Sequence, residues 1–501
     1  MREMMKKAAF HNLGCKVNSY ELDIMRQILR DKGYLEVPFH ERADVYVVNT
    51  CTVTNIADRK SRQMLHRAKK QNPDAVVVAV GCYVETDPDR VERDDAIDLV
   101  IGNNRKTQIG DILTAYLAQR ERIREEALPD APEEGSAAGT ERKACGPAAP
   151  ADPAPERTEA VAEGKPAWRE DLTASPQYEA MRLTDPGHTR AYIKIQDGCN
   201  QFCSYCIIPY ARGRIRSRQP EDILQEGRDL VAGGIREIVL TGIHVSSYGL
   251  DFGAEGPVRF DPLRSGEALL SLLRGLSAIE GLERIRMSSL EPRIMTERFI
   301  RELSALDKVC PHFHLSLQSG CDATLRRMNR HYTTVEYARS VDLLRRYYDR
   351  PAITTDVIVG FPGETEEEFD QTCAFLERIR FYEIHVFRYS RRSGTVADKM
   401  PDQVPEPVKA RRSERLLALT ADQAAAYRAQ FAGEPETILL EETCEQDGVD
   451  YWTGSTARYV TAAVPADGGQ TYRPGMILRG TFRPEEIGLS RGSCLLFVPE
   501  I

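Results

Sequence analysis

Cys199, Cys203 and Cys206 fall within eight residues in the spacing C-x3-C-x2-C. Three thiolates on one short loop can hold three irons of a [4Fe–4S] cluster and leave the fourth iron open to a small molecule. A zinc site would need a fourth ligand close by. Tyr205 directly precedes the last of the three and adds an aromatic to the pattern. Cys15, Cys51 and Cys82 are far apart in sequence, yet each lies one to two residues past the end of a predicted parallel strand. Neighbouring parallel strands bring such ends to one edge of a sheet, where ligands bind. Two readings follow: a second three-thiolate site, or buried structural cysteines. Cys145, Cys310, Cys321, Cys373, Cys444 and Cys494 show no ligand spacing, and Cys373 falls in the apolar stripe of a helix. The N-terminus MREMMKKAAF has no secretory h-region, so the 12 cysteines are expected to be reduced, which favours metal or catalysis over disulfides.

The elements that would position these residues are alternating strands and helices. Over residues 8–120 the short β runs are Ala8–Leu13, Val45–Asn49, Val76–Val80 and Leu99–Ile101, with Asn18-x-x-Glu21 read as a capping box and a helix at Ala57–Lys70. Over 190–400 the strands are Tyr192–Ile195, Glu237–Thr241, Arg284–Ser288, His312–Leu317, Ile353–Val359 and Glu383–Tyr389, with helices such as Thr333–Tyr348 and Glu366–Ile379. Six βα units predict a TIM-like partial barrel, with a doubly wound open sheet as the runner-up. An amphipathic helix spans Val404–Gln430. Strands Thr437–Glu441, Arg458–Val464 and Gly475–Arg483 then form a small β-barrel-like module. The fold class is α/β with three units: an N-terminal parallel sheet domain (1–120), a central barrel (185–403), and a C-terminal β module (431–501) joined by the 404–430 helix. Residues 121–180 read as a linker.

The 501 residues carry 76 acidic against 67 basic side chains, a formal charge of −9. Acidity of this kind argues at first against a nucleic-acid partner. Between Glu125 and Glu163, however, 39 residues hold 11 Ala, 6 Pro, 10 acids and only 3 bases, a charge of −7. That composition cannot offset ordering entropy and predicts disorder. No apolar run reaches the roughly 18 residues of a transmembrane helix, so a cytoplasmic location and no membrane partner are expected.

The segment Asp197-Gly198-Cys199-Asn200-Gln201-Phe202-Cys203-Ser204-Tyr205-Cys206-Ile207-Ile208-Pro209, with Arg212-Gly213 and Arg216-Ser217-Arg218, strongly resembles the radical S-adenosylmethionine signature of the methylthiotransferases. Leu13-Gly14-Cys15-Lys16-Val17-Asn18, Asn49-Thr50-Cys51-Thr52-Val53-Thr54 and Gly81-Cys82-Tyr83 look like the three segments of that family's N-terminal domain. LGCKVN and FCSYCIIP point to the threonylcarbamoyladenosine branch, and the C-terminal module is similar to the RNA-binding TRAM domain. The long acidic segment is the main departure. The resemblance implies that Cys199, Cys203 and Cys206 hold a cluster whose open iron chelates S-adenosylmethionine, cleaved by one electron to a 5′-deoxyadenosyl radical that takes hydrogen from carbon 2 of the target adenine. It implies that Cys15, Cys51 and Cys82 hold an auxiliary [4Fe–4S] cluster carrying sulfur. A second S-adenosylmethionine methylates that sulfur. No catalytic residue beyond the cluster ligands is implied.

Further segments could wall such a site. Tyr205, Thr241 and Gly242, Ser289 and Glu291, and Gln318 are the candidate cofactor contacts, with Gly360–Thr365 beside the adenine. Each also reads as strand-to-helix turn chemistry. Arg212, Arg214, Arg216 and Arg218 alternate, so in an extended segment they share one face suited to RNA phosphates. Arg326, Arg327 and Arg330 form a second basic cluster and Arg388, Arg391 and Arg392 a third; either also reads as a solvated face. Tyr451, Trp452, Arg458 and Tyr459 could clamp RNA or pack a core. The implied partners are tRNA, a one-electron reductant of flavodoxin or ferredoxin type, and a sulfur source. Alternatives are isopentenyladenosine in tRNA or a ribosomal-protein aspartate as substrate, and a non-catalytic RNA-binding iron–sulfur sensor.

Overall fold

The computed structural model describes residues 5–126, 165–172, 177–256, 258–466, 472–489 and 492–500. Almost all of the acidic segment, with Cys145, lies outside the described residues. The first domain is one parallel sheet of β1 (Lys7–Asn12), β2 (Leu35–Val37), β3 (Val45–Thr50), β4 (Val76–Gly81), β5 (Leu99–Ile101) and β6 (Ala167–Trp168), in the order β2-β1-β3-β4-β5-β6. VYVVNT and VVVAVG are buried at every position, as strands covered by helices on both faces must be. The winding reverses between β1 and β3. That switch point is where open sheets bind ligands, and Cys15 and Cys51 follow these two strands.

Two expectations change here. The linker does not run from 121 to 180: the preceding helix continues to Glu126, and the chain returns as β6 on the same sheet. Leu172, Met181 and Leu183 are then buried on the way to the second domain. Nor is Asn18-x-x-Glu21 a capping box. The helix starts at Lys16, so Asn18 sits inside its first turn and donates to the Leu13 and Thr50 carbonyls. Glu21 is buried among cations.

The second domain contributes β7 (Arg190–Asp197), β8 (Arg216–Ser217), β9 (Glu237–Gly242), β10 (Arg284–Met287), β11 (His312–His314), β12 (Ala352–Val359) and β13 (Glu383–Arg388). Apart from the short antiparallel β8, the strands run parallel in chain order, with single bridges joining β10 to the segment around β11. Strand order that never reverses makes an arc of a barrel rather than a doubly wound sheet. Thr333 and Thr365 open two outer helices with full capping boxes. Alternate residues Ile193, Ile238, Ile285, Phe313, Ile353 and Ile384 enter the core beneath the helices. Their neighbours face the lumen. The arc is open between β7 and β13, and helix Lys16–Asp31 of the first domain packs against β7 at that opening.

Helix Glu406–Arg428 leads to a closed barrel of β14 (Pro435–Gln446), β15 (Val449–Thr456), β16 (Thr461–Pro465), β17 (Ile477–Leu489) and β18 (Gly492–Pro499), ordered β14-β15-β16-β18-β17. Strands β15 and β18 were not anticipated in the sequence. The module docks on the N-terminal end of the larger barrel: Arg284 donates to the Ser455 and Thr437 carbonyls, and Tyr459 stacks on His312 at 5.0 Å.

Candidate active site

The loop after β7 is tied down on several sides. Gly198 has φ +70°, and a Cβ there would lie 1.8 Å from the Arg214 carbonyl oxygen, so only glycine fits. Cys199 N donates to Gly213 O at 3.0 Å, Ser204 N to Met328 O at 3.1 Å, and Asn329 Nδ2 to Phe202 O at 3.0 Å. Cys206 N donates back to Cys203 O at 3.0 Å, which tightens the turn between the last two cysteines. Gln201 N approaches the Cys199 sulfur at 3.5 Å, and Arg330 Nη1 donates to Cys203 Sγ at 3.3 Å. Burial raises the Cys199 thiol, and Cys203 and Cys206 raise it further; Cys206 is pushed up to about 12 for the same reasons. Three crowded thiols with N–H donors aimed at two of the sulfurs need a cation to become thiolates together. An all-sulfur donor set of three suits an iron–sulfur cluster rather than a hard ion.

The second trio gathers at the sheet's switch point. Cys15 precedes helix Lys16–Asp31, Cys51 follows β3, and Cys82 opens the helix after β4. Gly14, at φ +119°, lies so close to Cys51 that a Cβ would meet its Sγ at 3.2 Å. The Cys51 thiol is pushed up to about 12 by burial and by the charges of Cys82 and Cys15. Burial also raises Cys82, which Arg212 and Lys106 oppose.

Arg212 joins the two trios. It ends the short helix Ile208–Arg212 that follows the first cysteine loop, and it is fully buried. Its Nε donates to Cys82 Sγ at 3.2 Å, Nη1 to Glu21 Oε1 at 2.8 Å, and Nη2 to Asn18 Oδ1 at 2.8 Å. Glu21 also takes Lys106 and, at 2.7 Å, Lys194; Asp197 takes Lys194 at 2.5 Å and lies 3.7 Å from Arg216. Four buried cations thus share two carboxylates at ion-pair distance, with Glu85 and Glu179 further off, and the guanidinium on the Cys82 sulfur fits an anionic thiolate-bound cluster. Cys82 is also among the groups whose charge acts on Cys206. A further tie comes from Arg392, which pairs with Asp58 and reaches Thr52 Oγ1 at 2.5 Å, next to Cys51. Lys106, Lys194 and Asp197 carry no site role in the sequence reading, and Glu21 appears there only as part of a capping box. The available signal was Lys194, a lysine inside an apolar strand, which demands a carboxylate.

The candidate cofactor contacts stand at the C-terminal ends of the strands. Thr241 and Gly242 end β9, Ser289 is exposed just past β10, and Gln318 follows β11 at φ +71°. Glu291 is buried, and although burial raises its carboxyl, bonds from His244 (2.8 Å) and Arg293 hold it at about 2. Tyr205 meets Phe361 edge-on at 6.3 Å.

The RNA expectation is corrected at several positions. Arg212, Arg216 and Arg218 are buried, the last in a pair with Glu226, so they present no common face to phosphates. Arg214 alone of the four is exposed, over the Phe202 ring at 4.5 Å. Arg327 pairs with Glu368 and Arg330 with the Cys203 sulfur. Tyr459 and Arg458 face the larger barrel and Asp349 rather than solvent. A cleft of 1220 Å³ runs along Arg214, Arg216 and Arg218 beside β8, with Asn200 of the first cysteine loop in its wall.

The Radical SAM superfamily model matches residues 193–376, and the model of Uncharacterized protein family UPF0004 matches 7–102. The chain is 39% identical over 460 residues to the threonylcarbamoyladenosine tRNA methylthiotransferase MtaB of Bacillus subtilis, covering 91% of this chain and 90% of that one. The chain belongs to the radical SAM methylthiotransferase family. The MtaB of Aquifex aeolicus is 36% identical, with coverage of 87% and 93%. The tRNA-2-methylthio-N(6)-dimethylallyladenosine synthase of Carboxydothermus hydrogenoformans is 33% identical, with coverage of 87% and 88%. Among solved structures, the radical S-adenosylmethionine methyltransferase TsrM of Kitasatospora setae shares the fold, at TM-score 0.51 and 18% identity over 79% of this chain and 74% of that one. As a radical SAM methylthiotransferase the chain uses S-adenosylmethionine and [4Fe–4S] clusters. No helix among the described residues is long and apolar enough to cross a membrane.

For this methylthiotransferase, Gly198→Ala is expected to dislodge the first cysteine loop, because the added carbon meets backbone. Iron bound after anaerobic reconstitution should fall from about eight per chain to about four, the content of one four-iron cluster. A full complement would show that the loop tolerates the residue.

Proposed function

We propose that this enzyme converts N6-threonylcarbamoyladenosine in tRNA, next to the anticodon, to its 2-methylthio derivative. The observation that carries the reading is the pair of thiol trios, one per domain, held to a single buried hub through Arg212. Cys199, Cys203 and Cys206 hold the cluster that binds S-adenosylmethionine, and Cys15, Cys51 and Cys82 hold the auxiliary one. When bound, these groups supply a hydrogen-abstracting radical, sulfur and a methyl group. The chain itself fixes the spacing between the two trios, sets buried positive charge beside Cys82, and offers the C-terminal ends of the barrel strands to the nucleotide. No general base is required of it.

The LGCKVN wording supports this substrate over isopentenyladenosine, as do the identities of 39% and 36% to two relatives named for threonylcarbamoyladenosine, where relatives named for dimethylallyladenosine stand at 33% and 34%. Electrons come from a flavodoxin- or ferredoxin-type donor and sulfur from a separate source. Nucleoside mass spectrometry of tRNA from a deletion strain tests the substrate. Loss of 2-methylthio-N6-threonylcarbamoyladenosine is expected; loss of the isopentenyl product instead would move the enzyme to the other branch.

A further inference from the structure

One group of side chains on the inner face of the arc takes no part in either cysteine trio or in the hub between them. His314 on β11, Asp356 on β12 and His385 on β13 share that face, since their neighbours Phe313, Val357 and Ile384 enter the core beneath the helices. Asp356 is the register partner of His385, and His314 stands one strand over, opposite Thr354. One nitrogen or oxygen from each of the three lies within 4.8 Å of the other two. Donors bound to a single cation at about 2.0–2.2 Å are themselves up to about 4.4 Å apart, so little movement closes this set around an ion. The His314 and His385 rings stack at 5.7 Å, 22° from parallel.

The surrounding bonds leave these atoms free to coordinate. Thr354 Oγ1 lies 3.0 Å from His314 Nδ1 and 3.3 Å from His312 Nε2. A hydroxyl accepting from the first nitrogen and donating to the second holds the His314 proton on Nδ1 and leaves a lone pair on Nε2. That Nε2 is buried, makes no hydrogen bond, and faces Asp356 at 3.3 Å. A lone pair set against a carboxylate repels it unless a positive charge lies with them. Among the described residues no lysine or arginine stands within ion-pair distance of Asp356. Glu383, 3.7 Å from His385 Nδ1, adds a further negative charge.

We propose that His314, Asp356 and His385 bind one divalent transition-metal ion, separate from the irons of both clusters. Two imidazoles and a carboxylate suit zinc or ferrous iron, whereas magnesium and calcium take oxygen donors. Three protein ligands leave at least one coordination position open. Exposure rises from 12% at His314 through 28% at Asp356 to 45% at His385, so that position faces the free side of the lumen. There the ion takes water or an oxygen donor of a molecule bound in the lumen. The site does not depend on which modified adenosine the enzyme accepts.

The test uses the anaerobically reconstituted holoenzyme without a histidine tag, with zinc as the probe and iron measured alongside it. One zinc per chain is expected beside the full complement of about eight irons. Zinc K-edge absorption should show nitrogen and oxygen neighbours at about 2.0–2.2 Å and no sulfur at about 2.3 Å. Thr354→Val should weaken zinc binding about 10- to 100-fold, the usual cost of losing the bond behind a ligating histidine. His385→Gln and Asp356→Asn should weaken it at least as much, with iron unchanged. Zinc should raise the thermal midpoint of the wild type and leave that of His385→Gln where it was. If Asp356→Asn loses iron as well, His385→Gln, a change at an exposed ring, decides. No zinc on the wild type, sulfur among its neighbours, or equal binding in wild type and His385→Gln would overturn the proposal.

Discussion

Cys203→Ala is expected to abolish S-adenosylmethionine cleavage, whereas Cys82→Ala should keep cleavage and lose methylthiolation. The two sulfurs belong to different domains and different frames. Cys203 lies on a loop pinned by Gly213, Met328 and Asn329, and none of those bonds involves the first domain. Cys82 contributes one contact to Arg212, and that guanidinium remains held by Glu21, Asp197 and Asn18 when the sulfur is gone. The domain interface should therefore survive Cys82→Ala. Each variant should retain about four irons of about eight. 5′-Deoxyadenosine by chromatography and the modified nucleoside by mass spectrometry separate the two functions. Loss of both activities in folded Cys82→Ala would show that the trios are not independent.

The second large effect is on stability. Glu21→Gln should destabilise the protein by about 3–5 kcal/mol, the range for removing one member of a buried ion pair. Burial alone would raise this carboxyl, but Arg212, Lys106 and Lys194 hold it well below the usual carboxylate range. Its stabilising contribution is thus complete above the unfolded value of a carboxylate and is lost only as pH falls through the depressed folded value. Without the negative charge, Asp197 is left as the one carboxylate paired with Lys194 and Arg212, and Lys106 loses its ion pair. Adding Lys106→Met to Glu21→Gln should restore part of the loss, because one orphaned cation leaves with its partner. Thermal midpoints and soluble yield of the wild type, each single variant and the double variant check this. A double variant no better than the single would show that the cost is steric.

The sequence made the strands and the six cysteines legible because both are local signals. Strand–helix alternation places β1, β3 and β4, and a cysteine past each strand end identifies an edge without knowledge of which strands pair. The arginines show where that reasoning stops. Alternation from Arg212 to Arg218 suggests one exposed face only if the segment is extended, whereas Arg212 closes a helix and meets a carboxylate 191 residues away. The Asn18-x-x-Glu21 spacing is likewise a local pattern, overridden by a long-range demand for a counter-ion at Glu21. In the C-terminal barrel, Tyr459 carries the composition of an RNA contact and instead covers His312 and Arg286. Burial decides each of these cases, and burial is set by partners that sequence spacing does not name.

The chain leaves the first domain at Glu126 and rejoins it at β6 on the edge of the same sheet. The acidic insertion is therefore a detour within one domain, and the passage to the barrel is made by packed residues after it, among them Leu172, Met181 and Leu183. Closing a loop between fixed ends costs only about 0.6 kcal/mol for each doubling of its length. A reporter or affinity module spliced there is expected to leave the spacing between the two cysteine trios undisturbed.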